Sequence, residues 1–288
     1  MASSGSAGSN SNAAIPPVLS GWLRARYPTL QIRQEWLEGC VEYIVGSNSS
    51  PGRRLTDREL IKQVNIQLLH SDLADSAEAG TLSPDVLTAH KQRIGEKGRG
   101  VLLQVVGIMD VGVSAQTQLD VLAARKEART HPPAPGAGAA PHAGAAEATE
   151  ENQEEGEEEE DHMAAFHSSE SALASIANPT VYPRSVLRIH LSDGHNPDVL
   201  LPAFEHSRIE ALSMNDGPTP GEGRTLLGCK VLLKGAEVRR GQVLLRPGEV
   251  EVLGGSIPEL EDRAEYILTN SLRVRLGKPP EPEEMDVQ

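Results

Sequence analysis

Aromatic residues are scarce: two Trp, four Tyr and two Phe make up 3% of 288 residues. A chain so poor in rings has no large aromatic core and no extended platform for stacking unpaired bases. Only two cysteines occur, Cys40 and Cys229, far apart and in apolar surroundings. They could pair, but without a secretory signal the expected reading is two reduced core thiols. No run approaches the roughly twenty apolar residues that span a bilayer. The opening MASSGSAGSNSNAA has neither the basic start nor the apolar segment of a secretion signal. An intracellular protein with no membrane contact and no small-molecule ligand is the expectation.

Positive charge is missing from one long interval. Between Thr130 and Pro183 there is no Lys or Arg, and there are eleven acids, ten of them within residues 147–161. That interval carries −11 of the formal −14, so the rest of the chain holds only −3. A near-neutral remainder argues against indiscriminate binding to phosphate backbones, which needs clustered Lys and Arg.

The chemistry of catalysis is missing as well. The segment from Gly223 to Lys230 approaches a phosphate loop, but the Lys stands one place late, and Val231 occupies the position of the magnesium-binding hydroxyl. Gly95, Gly98 and Gly100 precede an apolar run instead of following one, so they do not form a dinucleotide turn. The nine histidines show no paired spacing, and no Ser, Cys or Asp has the setting of a nucleophile or an acid/base pair. No enzyme activity, no cofactor and no metal site are expected.

What is present falls into two patterns. From Pro17 onward the apolar residues recur at helical spacing. Val18, Trp22, Leu23 and Tyr27 fit one side of a short helix ended before Pro28. Thr29 is placed to cap a second helix carrying Ile32, Trp36, Leu37, Cys40, Val41 and Ile44. Thr56 and Glu59 form a capping box for a third, with Leu60, Ile61, Val64 and Leu68 inward and an end near His70. Further short turns begin at Ser71-Asp72-Leu73 and Ser83-Pro84. The second pattern is a set of short runs broken by turn residues: VLRIHL, DVLLPAF, CKVLLKG, EVRRGQVLL and GEVEVLGG, with VLLQVVGIMDV far upstream. Runs this short suit strands, and consecutive strands without crossover helices predict an antiparallel sheet closed into a small barrel.

The expected fold class is therefore α+β: a three-helix module on a five-stranded antiparallel barrel, with a long low-complexity insertion between the first two strands and a C-terminal helix. The expected divisions are 1–16 disordered, 17–98 helical, 99–113 with 184–256 barrel, 114–183 insertion, 257–277 helix and 278–288 tail. Within the insertion, residues 116–129 read as a weak helix bearing Leu119 and Leu122.

The motifs RARYPTLQIRQEWLEGCVEYI (24–44), LLHSDL (68–73), VLLQVVGIMDVGVS (101–114), VLRIHLSDG (186–194) and GQVLLRPGEVEVLGG (241–255) resemble the RecQ-mediated genome instability protein family. The resemblance covers roughly 17–113 and 184–276. It implies an oligonucleotide/oligosaccharide-binding (OB) barrel, a nuclear location, and a non-catalytic accessory role beside topoisomerase III and a RecQ-type helicase in DNA repair, recombination and replication. It also implies that the loop between the first two barrel strands, here Gly112 to Pro183, reaches into the topoisomerase gate and favours decatenation and dissolution of double Holliday junctions. On that basis the partner contacts are expected at the loop's two apolar ends, Val113, Leu119 and Leu122 on one side and Phe166, Leu173, Ile176 and Tyr182 on the other. Lys230 matches a basic residue in the family's fourth strand and is expected to touch the partner too. A competing reading is an OB module that binds single-stranded or branched DNA directly through Arg188, Arg239 and Arg240.

Overall fold

The computed structural model describes residues 15–47, 55–96, 98–131, 179–196, 199–217 and 223–282. Chain contacts divide it into two units, residues 1–110 with 186–268 and residues 111–185 with 269–288.

In the first unit three helices pack together, α1 (Pro17–Arg26), α2 (Gln34–Ser47) and α3 (Asp57–Leu69). Pro17 opens α1, where its missing N–H costs nothing. The capping box of α3 forms as the sequence implies: the Thr56 hydroxyl accepts from the Glu59 N–H, and the Glu59 carboxylate accepts from the Thr56 N–H. Leu19, Leu23, Leu37, Val41, Ile44, Leu60, Val64 and Leu68 make the core, with Trp36 and Cys40 half-buried against it. Two local expectations fail. Val18 faces solvent while Leu19 turns inward, and the Thr29 hydroxyl donates to the Gly100 carbonyl instead of capping α2. A one-turn helix α4 (Leu73–Ser76), capped by Asp72, and a 3-10 turn at Pro84–Leu87, capped by Ser83, follow where the turn chemistry places them.

The sheet has eight strands, three more than expected: β1 (Lys91–Ile94), β2 (Val101–Asp110), β3 (Leu187–Ser192), β4 (Leu201–Glu205), β5 (Lys230–Leu233), β6 (Ala236–Arg239), β7 (Gln242–Leu245) and β8 (Val250–Gly254). Their order is β1-β6-β7-β4-β3-β2-β5-β8. The added strand β1 is short and charged, with no apolar run to announce it. All pairings are antiparallel except β4 with β7, which corrects the wholly antiparallel expectation. Closure explains the exception. The ribbon 230–239 bends at Gly235, which sits at φ 79, and its first half pairs with β2 while its second half pairs with β7. The sheet thus curls back on itself, and the hairpin β6–β7 brings β7 alongside β4 in the same direction. A register shift between Val105 and Gly107 lets β2 leave β5 and continue along β3.

Leu102 and Leu232 belong to the same core as the helices, so β2 and β5 are covered on both faces. The C-terminal region forms two helices, α6 (Pro258–Glu261) and α7 (Ala264–Arg275), where a single one was expected. In the second unit α5 (Ala115–Thr130) is capped by Ser114, whose hydroxyl accepts from the Thr117 N–H.

Candidate protein-interaction surface

The insertion leaves the sheet at Asp110 and returns at Leu187, two residues that pair across β2 and β3. Two buried carboxylates fix the return. Asp110 accepts the Val186 N–H at 3.2 Å, and Glu205 accepts the next one, Leu187, at 3.2 Å, as well as the Ile209 N–H at 2.7 Å. Charged acceptors make the stronger kind of hydrogen bond, so the two strand ends at which the insertion leaves and returns are tied to each other and to β4. Sequence reasoning missed both acids. Their only signal was position, one at a strand end beside apolar neighbours and one at the end of DVLLPAFE.

The described ends of the insertion are organised by their own contacts. On α5, Arg125 donates from Nε to the Thr180 carbonyl at 2.7 Å, and its guanidinium lies 4.3 Å from the centre of the Tyr182 ring. Arg275 donates to the carbonyls of Val111 at 2.9 Å and Val113 at 3.1 Å. Tyr182 and Leu122 are 4% and 9% exposed. Both are corrections to the expected contact set, since side chains already buried cannot meet a partner without opening their own packing. The reason is that α5 is amphipathic, with Ala115, Val121 and Leu122 turned inward. Val113 and Leu119 are half-buried and keep part of their surface. Phe166, Leu173 and Ile176 lie outside the described residues.

Lys230 is the largest correction. It is fully buried, its ammonium donating to the carbonyls of Gly228 at 2.7 Å and Leu69 at 3.3 Å. Removal from water lowers its pKa to about 8, against a smaller opposing pull from Asp72 and Cys229. Next to it Gln104, also buried, accepts the Leu73 N–H at 3.0 Å and donates to Asp72 at 3.0 Å. Lys230 therefore fastens the end of α3 to the barrel. It is neither a surface contact nor a solvated strand lysine. Both thiols are free, and burial pushes Cys40 up to about 11 and Cys229 upward.

Arg188, Arg239 and Arg240 stay accessible in part. Arg188 lies over the Phe204 ring at 5.3 Å, and Arg239 and Arg240 end the β6–β7 hairpin. Among the described residues there is no group of His, Cys, Asp and Glu able to hold a metal, and no helix is long and apolar enough to cross a membrane.

Comparison with known families decides the class. Residues 23–76 match the family described as RMI1, N-terminal helical domain, and residues 82–267 match RMI1, N-terminal OB-fold domain. The chain belongs to the RMI1 family. The OB-fold match agrees with the curled sheet, and the two RMI1 domains follow in the order seen here. Relatives include RecQ-mediated genome instability protein 1 of Xenopus laevis, 26% identical over 249 residues, and of Mus musculus, 26% identical over 242. The protein of that name from Schizosaccharomyces pombe is 23% identical over 235 residues. These alignments cover 86%, 84% and 80% of this chain but 34%, 30% and 84% of the relatives, so the chain spans about a third of the frog and mouse proteins.

Proposed function

We propose that the chain is a non-catalytic accessory subunit in nuclear genome maintenance. It would bind topoisomerase III through the OB barrel and its insertion, beside a RecQ-type helicase, and promote decatenation and dissolution of double Holliday junctions. The observation that carries this reading is the insertion's mount: residues 111–186 spring from adjacent strands of an RMI1-type OB barrel, held by Asp110 and Glu205. The names of the relatives, which tie them to RecQ and genome stability, support the same reading.

The physical requirement is small. A topoisomerase gate opens and recloses, and a loop that binds one gate state better shifts that population by its differential affinity. A tenfold shift needs about 1.4 kcal/mol, within reach of one or two newly buried apolar side chains. With Leu122 and Tyr182 committed to the interior, Val113 and Leu119 are the remaining named residues on the described part of the insertion that could supply it.

The test is copurification with topoisomerase III, followed by decatenation with and without this chain. Because Asp110 and Leu187 already pair, residues 111–186 can be replaced by a short hairpin turn. That variant is expected to lose topoisomerase binding, and deletion of 131–165 alone is expected to keep it. Undiminished copurification of the hairpin variant would overturn the proposal.

A further inference from the structure

Among the described residues β1 is the end strand of the sheet, paired with β6 alone. The neighbouring hairpin fixes which way its backbone groups point. The β6–β7 turn consists of Arg240 and Gly241, both left-handed at φ 48 and φ 72. Across such a two-residue turn the flanking pair, Arg239 and Gln242, exchange backbone hydrogen bonds with each other. Arg239 therefore turns its N–H and C=O towards β7 and away from Lys91, its partner on β1. Lys91 and, two residues on, Arg93 then point their own N–H and C=O off the edge of the sheet. The bond from the Arg240 N–H to the His90 carbonyl at 3.2 Å fits the same alternation. Such a row of outward donors and acceptors is a template for a further strand.

The side chains decide what that strand can be. Lys91 and Arg93 form one row on the outer face, with side chains 66% and 47% exposed. Most of the acids that serve them lie deeper. Glu237, at 6%, meets Lys91 at 3.7 Å and is shared with Arg239 at 2.8 Å and Arg246 at 3.4 Å. Arg93 reaches the half-buried Glu249 at 3.6 Å and the exposed Glu96 at 4.0 Å. The layer presented along the edge is mainly cationic. Charges on an edge strand keep neutral and like-charged strands from pairing with it. An acidic strand is attracted instead, so the guard is selective.

On the inner face Gln92 and Ile94 are half-buried, opposite the buried Val238 and Ala236. A strand added beside them would place apolar residues there, between its acids. At the Ile94 end lies a cleft of about 620 Å³, lined by Arg93 itself and by Arg26, Lys234, Glu96, Gly98 and Gly235. A Cβ on Gly98 or Gly235 would meet nothing within 4 Å, so this part of the cleft is open. Arg26 and Lys234 share one acid, Glu251. The cationic edge thus leads into a cleft with two further cations.

We propose that β1 is a docking edge for an extended acidic segment of a partner protein, which adds to the sheet as a further antiparallel strand. Its backbone bonds to the outward groups of Lys91 and Arg93, about 4.8 Å away. Its alternate carboxylates lie against the Lys91 and Arg93 side chains, and its end runs into the cleft towards Lys234 and Arg26. Main-chain bonds supply affinity in this mode of recognition, and side chains supply the choice of partner. The inference goes beyond the accessory-subunit reading. It is tested on this chain without topoisomerase, so either can fail while the other stands.

The experiment titrates the full chain into a fluorescein-labelled peptide of alternating Glu and Val, about six residues long as strands commonly are, and follows anisotropy. Saturable binding is expected, with the corresponding Lys–Val peptide about tenfold weaker. Opposite Lys91 and Arg93 stand the glutamates, whose backbone groups are the ones facing β1. Methylating the glutamate nitrogens should therefore weaken binding roughly tenfold, while methylating the valine nitrogens, which face solvent, should leave it nearly unchanged. The double variant Lys91→Gln with Arg93→Gln alters two exposed side chains, so it should melt close to the parent yet bind roughly fivefold more weakly. Parental affinity in that variant would overturn the proposal, as would failure of the Glu–Val peptide to bind. Indifference to glutamate methylation would mean attraction by charge alone and overturn it as well. Equally efficient displacement by oligothymidylate would point to nucleic acid, with the same result.

Discussion

Lys230 and Arg239 lie on the same bent ribbon, one on each side of Gly235, and have opposite fates. The first half of the ribbon, β5, is covered outside by the helical module and inside by the barrel core, and all four of its residues are buried. The second half, β6, faces the barrel core on one side only and ends in an exposed arginine. A cation on the covered half must find carbonyls, as Lys230 does at Gly228 and Leu69. A cation on the open half remains available to something outside. What a strand residue does therefore depends on what covers its face, more than on its type.

The contrast can be broken most sharply at Lys230. Lys230→Ala removes the donor to two carbonyls and leaves a void, and it is expected to lower unfolding stability by about 2–5 kcal/mol, read by urea denaturation. Lys230→Met keeps the volume and should cost much less. The same pair separates by pH. Because burial lowers the Lys230 pKa from 10.5 to about 8, the unfolded chain holds the proton more tightly between those values. The cost of burying the charge is complete below pH 8 and fades as pH rises to 10.5. Parental stability should therefore gain on Lys230→Met by roughly 3 kcal/mol across that window. A gap that stays flat would mean the ammonium is not buried as described.

On the open half, Arg240→Gly should stabilise the fold by about 1 kcal/mol through relief of the left-handed strain, measured by thermal melting. A loss of stability would show that the Arg240 side chain has a structural task. The smallest effect is expected at Glu251, bonded by Arg26 and Lys234 and held at about 2. Its carboxylate is 37% exposed, so solvent screening keeps the contribution under about 1 kcal/mol. That contribution is present above the ordinary carboxylate range and is lost as pH falls from 4.5 towards 2. Comparing parent and Glu251→Gln across that interval checks it.

Much of this was legible along the chain. The capping box at Thr56 and Glu59, the apolar stripe of α2, the α5 helix and each of the longer strands follow from spacing and turn residues alone. The missed strand β1, KQRI, has no apolar signature, because only its pairing with β6 makes it a strand. The parallel β4–β7 contact was invisible for a similar reason: it follows from ring closure and not from any local pattern. The candidate contacts were less legible than the fold. Leu122 and Tyr182 looked available because an apolar residue in a polar insertion suggests a partner, yet each is buried within this chain.

The sequence by itself determined where the helices and most strands lie, that an acidic low-complexity interval separates β2 from β3, and which family motifs the chain carries. These are local matters of period, capping and composition. Only the tertiary structure decided which face of each strand is covered. That choice sent Lys230 into the seam between α3 and the barrel and left Arg239, Arg240 and Lys91 outside. Burial is set by what packs across a face, and residues 69 and 230, distant in sequence, meet only when the chain folds.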